Sequence, residues 1–296
     1  MIIQSRRRDA LMAGMNATMQ TEDLRRQYEA EKRLADRIRA APPAARQAET
    51  IACYGEFFRD FAAVPDPSTG RMGATANKER FLRLLLARDR RVLETGCGCG
   101  RTLAALADGQ RTMAGIDVSE ELLAAARQAC PDAALRRMSA VNFCFPAPLF
   151  DAIYSIDVLE HLHPDDTPSH FTSVFRSLAP GGRYIVMTPH AHVGPHDVSR
   201  YFDPVPTGFH LKEYTYRDVL ALGRAAGFTR ASSPALPLRA YRPLPWLLRP
   251  TLFPASWKIF VERLGKQIPG RALRGRVYKA LMLYTVCAVF EKPGGR

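Results

Sequence analysis

Apolar and polar residues recur with two different periods along this chain, and the change of period marks where a sheet begins. Before residue 90, apolar positions return at helical spacing between charged ones. This spacing predicts helices over residues 24–40, 44–63 and 77–87. After residue 90, short apolar runs alternate with helical stretches, which is typical of strands joined by helices in an α/β sheet.

The short apolar runs predict seven strands. They cover residues 92–95, 114–117, 134–138, 150–156, 184–187, 228–238 and 284–290. Helices are predicted between them over residues 102–107, 120–129, 158–162, 171–178 and 215–226. This order predicts a doubly wound, Rossmann-like seven-stranded sheet over residues 76–296. A helical cap is predicted over residues 1–75, and a basic helical insertion over 239–283, before the last strand.

A glycine-rich turn follows the first predicted strand. Gly96, Gly98 and Gly100 alternate with small residues, and a helix is predicted directly after them. Glycine adopts positive φ and lets a ligand approach the backbone, and a helix start favours a nucleotide-like ligand. The third glycine of a dinucleotide fingerprint would fall at Arg101, so the turn does not match that fingerprint. No lysine follows Gly100, so it does not match a Walker phosphate loop either.

Two carboxylates accompany this turn. Glu94 lies at the end of the first strand, where it could face a cationic ligand group that a pyrophosphate site would avoid. Asp117 ends the second strand about twenty residues further on, where a carboxylate can accept both ribose hydroxyls. Together they predict a ligand that is a nucleoside with an amino-acid tail.

Four segments, in this order and spacing, resemble the class I S-adenosylmethionine-dependent methyltransferases. They are Val92–Gly100, Gly115–Ser119, Phe150–Leu162 and Leu178–Gly182. The resemblance extends over residues 90–228 and is greatest to the branch that includes quinone-biosynthesis methyltransferases. It implies that the domain over residues 76–296 binds S-adenosyl-L-methionine as its cofactor.

The resemblance also implies which residues line the cofactor site. They are Glu94, Thr95, Gly96, Cys97, Gly98, Asp117, Val118, Ser139, Ala140 and Ile156. The family usually has an acidic residue after the third strand, where it binds the adenine amino group. This chain has Ser139 there, and a serine hydroxyl can still accept that hydrogen bond.

The helix predicted over residues 44–63 has two interpretations. Its aromatic residues recur on neighbouring turns, which favours packing against the main domain. The family resemblance suggests instead that Tyr54 or a neighbour closes over the cofactor.

Histidines supply the candidate catalytic groups. Methyl transfer to a hydroxyl requires a base that removes its proton, and histidine suits that role near neutral pH. Four of the seven histidines lie between residues 188 and 211. The candidates are His190, His161 and His210, and His190 is favoured because it follows the fifth strand almost directly.

No metal is assigned from the sequence, but one alternative stays open. Asp157, Glu160 and His161 would share one helical face if a helix began at Asp157. With a histidine from the later loop they could hold Mg²⁺ or a transition ion that activates a hydroxyl. The same arrangement resembles metal-dependent members of the family.

Charge is concentrated in the last quarter of the chain. The net charge is +13, and residues 224–296 contain fourteen Lys and Arg but only two acidic residues. Such a block predicts an anionic partner or surface. The aromatic and basic insertion over 239–283 has three interpretations: a cap that is merely basic, contact with an anionic membrane, or, less favoured, contact with nucleic acid.

The cysteine pattern predicts a reducing compartment. Six cysteines are scattered without a C-x-x-C pair, which suits the cytoplasm better than a disulfide framework. The longest apolar stretch, residues 280–290, is too short to cross a bilayer. The protein is therefore expected to be cytoplasmic or peripheral to a membrane.

These observations predict a methyltransferase that acts on a small-molecule or lipid-like acceptor, on oxygen rather than on carbon or nitrogen. The sequence identifies neither the acceptor nor the oligomeric state. One alternative is a non-enzymatic, cofactor-binding scaffold on a membrane or nucleic acid. A nicotinamide oxidoreductase is disfavoured by Arg101.

Overall fold

The computed structural model describes residues 22–61, 72–234, 252–281 and 283–294. The predictions that concern residues 1–21, 62–71 and 235–251 lie outside the described residues. These include the first third of the basic insertion and the last four residues of the predicted sixth strand.

The described chain alternates strands and helices as the hydrophobic pattern predicts. The strands are β1 (Arg91–Thr95), β2 (Thr112–Asp117), β3 (Ala134–Arg137), β4 (Phe150–Ile156), β5 (Leu178–Pro189), β6 (Arg230–Pro234), β7 (Leu252–Pro254) and β8 (Thr285–Glu291). The helices are α1 (22–40), α2 (Pro43–Phe61), α3 (Met72–Leu85), α4 (Arg101–Leu106), α5 (Glu120–Ala129), α6 (Thr167–Ser177), α7 (Tyr216–Ala225), α8 (Ser256–Lys266) and α9 (Arg271–Ala280).

One mixed sheet contains all the strands, in the order β3-β2-β1-β4-β5-β8-β6-β7. β1 pairs in parallel with both β2 and β4, and β4 pairs in parallel with β5. β8 is antiparallel to β5 and to β6. The strand order reverses direction at β1 and β4, so a crevice opens at their carboxyl ends, where open α/β sheets bind ligands. The predicted Rossmann-like fold is therefore confirmed.

The described residues contribute eight strands to the sheet, one more than the seven predicted. The extra strand β7 lies inside the predicted insertion and pairs with the end of β6. It is three residues long, too short for an alternating pattern to reveal it. The rest of the described insertion forms the helix pair α8 and α9.

Two other elements differ from prediction at the crevice. The helix predicted over residues 158–162 is a single 3₁₀ turn, Leu159–His161, because Pro164 and a second short turn follow at once. β5 begins at Leu178 and includes the predicted Pro180–Gly182 turn as an irregularity, with Gly181 at a φ of 74°.

The sheet is covered on both faces by apolar side chains. On one face Phe171, Tyr184 and Phe290 are fully buried, and on the other Val92 and Ile185 are. Burying both faces is what makes the central strands almost continuously apolar.

The helices α1 and α2 pack on the loop that follows β5. Leu34 and Cys53 from the two helices form one buried cluster with Phe209 and Leu211 of that loop. The cap therefore covers the carboxyl edge of the sheet and helps to form the crevice. Within the described part of the chain, no helix combines the length and apolar character needed to span a membrane.

Candidate functional site

The glycine turn after β1 forms the floor of the crevice. Gly96 and Gly100 have φ of 67° and 76°. A Cβ on Gly96 would lie 2.6 Å from Val158, and one on Gly100 would lie 2.9 Å from Ala126 of α5. At Gly98, by contrast, no atom lies within 4 Å of the position a Cβ would take. Two glycines are thus required by close packing, and Gly98 leaves open space where a ligand can approach.

Asp117 at the end of β2 is joined to this turn. One carboxylate oxygen accepts a hydrogen bond from the Gly98 N–H at 2.9 Å, and the other accepts from the Ser119 N–H at 3.0 Å. Each oxygen keeps a further lone pair that can accept a hydroxyl. The structure therefore brings together the two motifs from which a nucleoside site was predicted.

Glu94 and Thr95 lie beneath the turn. The Glu94 carboxylate is buried, where it accepts a 3.0 Å hydrogen bond from the Tyr154 hydroxyl, and burial raises its pKa well above the usual range. The buried Thr95 hydroxyl has no hydrogen-bond partner among the described residues. Cys97 is also buried, and its sulfur lies 2.8 Å from where a Cβ on Gly115 would be. For Glu94, the Tyr154 contact favours a role inside the domain, so its predicted contact with a cationic ligand stays a prediction.

The other predicted cofactor residues follow neighbouring strands at the same edge. The Ser139 hydroxyl accepts from the Val141 N–H at 3.1 Å, and the Ala140 carbonyl accepts from His170 at 2.7 Å. Val118 follows β2 and Ile156 ends β4, and both are partly exposed. The fold thus gathers these positions along one edge, and their contacts with a cofactor stay predictions.

A second group of polar side chains lies at the ends of β4 and β5. Glu160, His161 and His210 each offer one ligand atom, and these atoms all lie within 4.8 Å of one another. Glu160 is fully buried; one oxygen accepts from the Thr188 hydroxyl at 2.8 Å, and the other has no partner within the described chain. An unpaired buried carboxylate oxygen is costly, so its position calls for an explanation. We call these three residues the polar cluster.

Both histidines of the polar cluster are oriented by bonds from Nδ1. His161 Nδ1–H donates to the Phe209 carbonyl at 3.1 Å, and His210 Nδ1–H donates to Glu213 at 2.9 Å. Each ring is therefore held through one of its two nitrogens. Such outer hydrogen bonds fix the orientation of imidazoles that bind metals or move protons.

The three groups of the polar cluster have separated pKa values. Burial raises the pKa of Glu160 to about 7, and the nearby charge of Asp157 acts in the same direction. Burial lowers the pKa of His161 to about 3. Burial opposes the charge on His210, but the carboxylates around it, Glu213 foremost, outweigh burial and raise its pKa to about 9. Near neutral pH the polar cluster therefore contains a cation, a neutral imidazole and a carboxyl group close to its titration point.

This donor set could hold a metal ion. One carboxylate oxygen and two imidazole nitrogens suit Mn²⁺ or Zn²⁺ better than Mg²⁺, which prefers oxygen ligands. The unpaired Glu160 oxygen and the hydrogen bonds at both Nδ1 atoms fit such an ion. The polar cluster differs from the set considered from the sequence, because Asp157 is not part of it. Asp157 is exposed with a φ of 53°, outside any helix, and bonds to Lys78 at 2.5 Å.

The cap helices cover the polar cluster. Tyr54 of α2 stacks on Phe209, with ring centroids 4.7 Å apart, and meets His161 edge-on at 6.2 Å. Burial raises the pKa of the Tyr54 hydroxyl, and the charges of Glu31, Glu160 and Asp117 raise it further. Tyr54 is therefore packed against the domain. It is also close enough to Asp117 and to Glu160 of the polar cluster for their charges to affect its pKa.

His190 occupies a different environment from His161 and His210. It is fully buried, its Nε2–H donates to Glu262 of α8 at 2.6 Å, and its Nδ1 accepts from the His192 N–H at 3.1 Å. Both ring nitrogens are therefore already used. Its catalytic role stays a prediction, and these contacts favour a role in holding α8 on β5.

Two residues of the site were missed from the sequence. Thr188 bonds Glu160, and Glu213 bonds both His210 and the His196 N–H. Thr188 ends an apolar run, and Glu213 lies in a loop. The Thr188–Glu160 and His196–Glu213 contacts join residues 28 and 17 positions apart, so no local pattern reveals them. The Glu213–His210 contact spans three residues, and that spacing was the one available signal.

Comparisons with known proteins agree with this geometry. Residues 92–182 match the family described as "Methyltransferase domain". A Mycolicibacterium smegmatis protein named as an S-adenosylmethionine-dependent methyltransferase is 30% identical over 139 residues, which are 47% of this chain and 52% of that protein. Phosphoethanolamine N-methyltransferase 1 of Zea mays is 35% identical over 124 residues, which are 40% of this chain and 24% of that enzyme. The chain thus spans about half or less of the length of these relatives.

Solved structures show the same fold. A chain of the complex between the Haloferax volcanii Trm112 methyltransferase activator and a methyltransferase matches with a TM-score of 0.50, covering 77% of this chain and 95% of that chain, at 17% identity. The quinone-biosynthesis branch is not tested by these relatives and stays a prediction. The family match and the S-adenosylmethionine-dependent relative therefore support a class I S-adenosylmethionine-dependent methyltransferase domain over residues 92–182.

Proposed function

We propose that this protein transfers the methyl group of S-adenosylmethionine to a hydroxyl of a small-molecule or lipid-like acceptor. The observation that carries the proposal is the buried, unpaired Glu160 oxygen beside His161 and His210. A site that merely held the cofactor would gain nothing from a buried proton acceptor at this edge of the sheet. The alternative of a non-enzymatic scaffold therefore has less support.

The reaction is an in-line displacement. The acceptor oxygen forms a bond to the methyl carbon, the bond from that carbon to the sulfonium sulfur breaks, and its electron pair leaves a neutral thioether. The glycine turn and Asp117 would align the donor, and exclusion of water by the cap would protect the transition state.

The polar cluster would remove the hydroxyl proton. Glu160, with a pKa of about 7, can accept that proton at its unpaired oxygen. The protonated His210 can stabilise the negative charge that develops on the acceptor oxygen. A divalent ion held by the same three residues would supply a Lewis acid that lowers the pKa of the bound hydroxyl.

The names of the relatives leave the acceptor atom open. They include phosphoethanolamine N-methyltransferases, thiocyanate methyltransferases and a trans-aconitate 2-methyltransferase of Delftia acidovorans. The choice of oxygen therefore rests on the polar cluster of this chain, since a base is needed most where the acceptor must lose a proton.

The test is Glu160→Gln, with Glu120→Gln on the surface as the matched control. Labelled S-adenosylmethionine is first incubated with lipid and polar extracts to find an acceptor fraction. With that fraction, Glu160→Gln should lower kcat at least ~100-fold, because general-base catalysis contributes that much, and leave the cofactor Kd unchanged. Wild-type kcat should rise with pH through about 7 and fall again near 9, as Glu160 and then His210 lose protons.

Three results would contradict the proposal. One is an acceptor that is labelled equally well by wild type and Glu160→Gln. The second is cofactor binding without label in any fraction, which would support the scaffold. The third is methylated product with the label on nitrogen or carbon. Loss of activity in a chelator, restored by Mn²⁺ or Zn²⁺, would assign the polar cluster to a metal rather than to a free base.

A further inference from the structure

The helix pair α8 and α9 presents apolar side chains to solvent. Eight large apolar side chains are notably exposed in the described chain, and five of them lie in residues 252–281. These five are Phe253, Phe260, Leu264, Leu273 and Leu281. Phe260 is 64% exposed and Leu264 is 53% exposed, one helical turn apart on α8. Such a concentration is unusual for a surface that contacts only water.

The exposed side chains lie opposite the buried side of α8. Lys258, Glu262 and Gly265 form that buried side. Glu262 bonds His190, and a Cβ on Gly265 would lie 2.4 Å from Tyr278 of α9. Because these inner contacts fix the helix to the domain, Phe260 and Leu264 are held outward by the packing of the opposite face. We call the outward side of α8 the outer face.

Positive charge surrounds the outer face. Residues 252–281 contain seven Lys and Arg, of which Lys258 is buried, and a single acidic residue, Glu262, which is also buried. On α8 itself Arg263 and Lys266 are exposed beside the two apolar side chains. A groove of about 470 Å³ between α7 and α8 is lined by three cations, the same two and Arg217, and by two carboxylates, Asp218 and Glu262, so positive charge is in excess there. An anion could therefore bind at the edge of the outer face.

We propose that the outer face docks on the surface of an anionic lipid bilayer. Exposed Phe and Leu side chains can enter the boundary between headgroups and acyl chains, while neighbouring cations contact acidic headgroups. Nucleic acid would account for the cations but would leave Phe260 and Leu264 in water. A second copy of the chain would bring two strongly basic surfaces together, which like-charge repulsion disfavours. The proposal does not depend on methyl transfer.

The experiment measures partition of the full-length protein onto vesicles. Vesicles of phosphatidylcholine alone are compared with vesicles that also contain phosphatidylserine, by flotation at low and high salt. Wild type should float with the anionic vesicles, and added salt should weaken binding. The double variant Phe260→Ser, Leu264→Ser should bind at least about tenfold more weakly, since it loses two inserted apolar side chains. The charge variant Arg263→Glu, Lys266→Glu should lose the preference for anionic vesicles.

The control is Leu149→Ser, which removes an apolar side chain that is 41% exposed before β4. It should float as wild type does. The affinity of every variant for S-adenosylmethionine is measured by calorimetry, so that a folding defect is recognised separately. This also separates the docking result from any failure of the proposed methyl transfer.

Several results would overturn the proposal. One is a wild-type protein that does not float with anionic vesicles. Another is a pair of double variants that float as well as wild type, and a third is a loss of vesicle binding in Leu149→Ser as large as that in Phe260→Ser, Leu264→Ser. A protein that binds DNA or RNA but not vesicles would show that the charge serves nucleic acid. A wild-type dimer that becomes a monomer in Phe260→Ser, Leu264→Ser, without vesicle binding, would show that a second copy covers the outer face.

Discussion

The two halves of the crevice are built from different kinds of contact. The cofactor half, which is the glycine turn with Asp117, is made of neighbouring segments and backbone groups, as where the Gly98 N–H meets Asp117 nineteen residues away. The half proposed for the acceptor, which is the polar cluster with the cap above it, is made of side chains from distant parts of the chain, as where Tyr54 of the cap stacks on Phe209. The difference teaches that cofactor binding is fixed by a short motif, whereas the acceptor half can change its side chains without rebuilding the motif.

The largest expected effect concerns His190, on the acceptor side. His190→Asn removes a hydrogen bond to the buried Glu262 carboxylate, which keeps only the bond from the Tyr216 N–H, and leaving a buried charged acceptor short of a partner costs about 3 kcal/mol or more in free energy of unfolding. Urea denaturation measures this loss, with His163→Asn as control, at a half-buried histidine whose acidic neighbour, Asp165, is exposed. The activity of each folded molecule should be unchanged. A variant as stable as wild type but inactive would instead make His190 the base.

Asp117→Ala should have the next largest effect, on the cofactor side. Its carboxylate is expected to hold both ribose hydroxyls, and losing two hydrogen bonds to a charged group should weaken cofactor binding about 100-fold, or about 3 kcal/mol. Calorimetry measures the Kd, with Asp132→Ala as an exposed control. An unchanged Kd would show that the ribose is held elsewhere.

The pH dependence of stability tests His170, which lies beneath the cofactor half and bonds the Ala140 carbonyl. Burial lowers its pKa from 6.5 to about 4, so the unfolded chain binds the proton more readily. Its contribution to stability is full above pH 6.5 and is lost as pH falls toward 4, by a total of about 3 kcal/mol.

The variant His170→Gln separates the contribution of His170 to the pH dependence of stability from the contributions of other buried groups that titrate. The difference in free energy of unfolding between variant and wild type is measured at pH 7.5 and at pH 4.5, both within the range of urea denaturation. It should shift in favour of the variant at the lower pH. A difference that does not change with pH would mean that His170 is protonated as easily in the folded protein as outside it.

Tyr54→Leu should have the smallest effect. It keeps an apolar side chain in the cap but removes the ring stacked on Phe209, which is worth about 1 kcal/mol. The KM of the acceptor should rise severalfold, while the Kd of S-adenosylmethionine stays the same. Tyr201→Leu, at an exposed tyrosine, serves as control. A change in the cofactor Kd instead would place Tyr54 over the cofactor.

The geometry of the glycine turn and of the strand ends beside it could be predicted from the sequence because its information is local. Gly96, Gly100 and Asp117 are specified by backbone conformation and by close neighbours, so their spacing survives as a motif. The strand pattern also predicted the order of elements, apart from the three-residue β7. The prediction of a helix at residues 158–162 was wrong because it was made from apolar spacing alone, which does not take account of the Pro164 that follows.

The polar cluster was predicted only in part, because the sequence grouped Glu160 and His161 with a histidine of the later loop but placed Asp157 with them on a helix that does not form. The sequence named His161 and His210 as candidates by residue type, but it ranked His190 above them from its distance to β5. What separates them is the partner: Glu262 is 72 residues from His190, whereas Glu213 is only three residues from His210. A contact as distant in sequence as that of His190 with Glu262 leaves no spacing to recognise.

Glu262 restricts how this protein can diverge. The same carboxylate accepts from His190 and from the Tyr216 N–H at the start of α7, so the inner turn of α8 is tied to the end of β5. A descendant that no longer needed the surface beyond α8 would be free to replace Phe260 and Leu264 with polar residues. It would still retain Glu262 together with His190. In a set of related sequences, Phe260 and Leu264 should therefore be replaced far more often than Glu262 and His190.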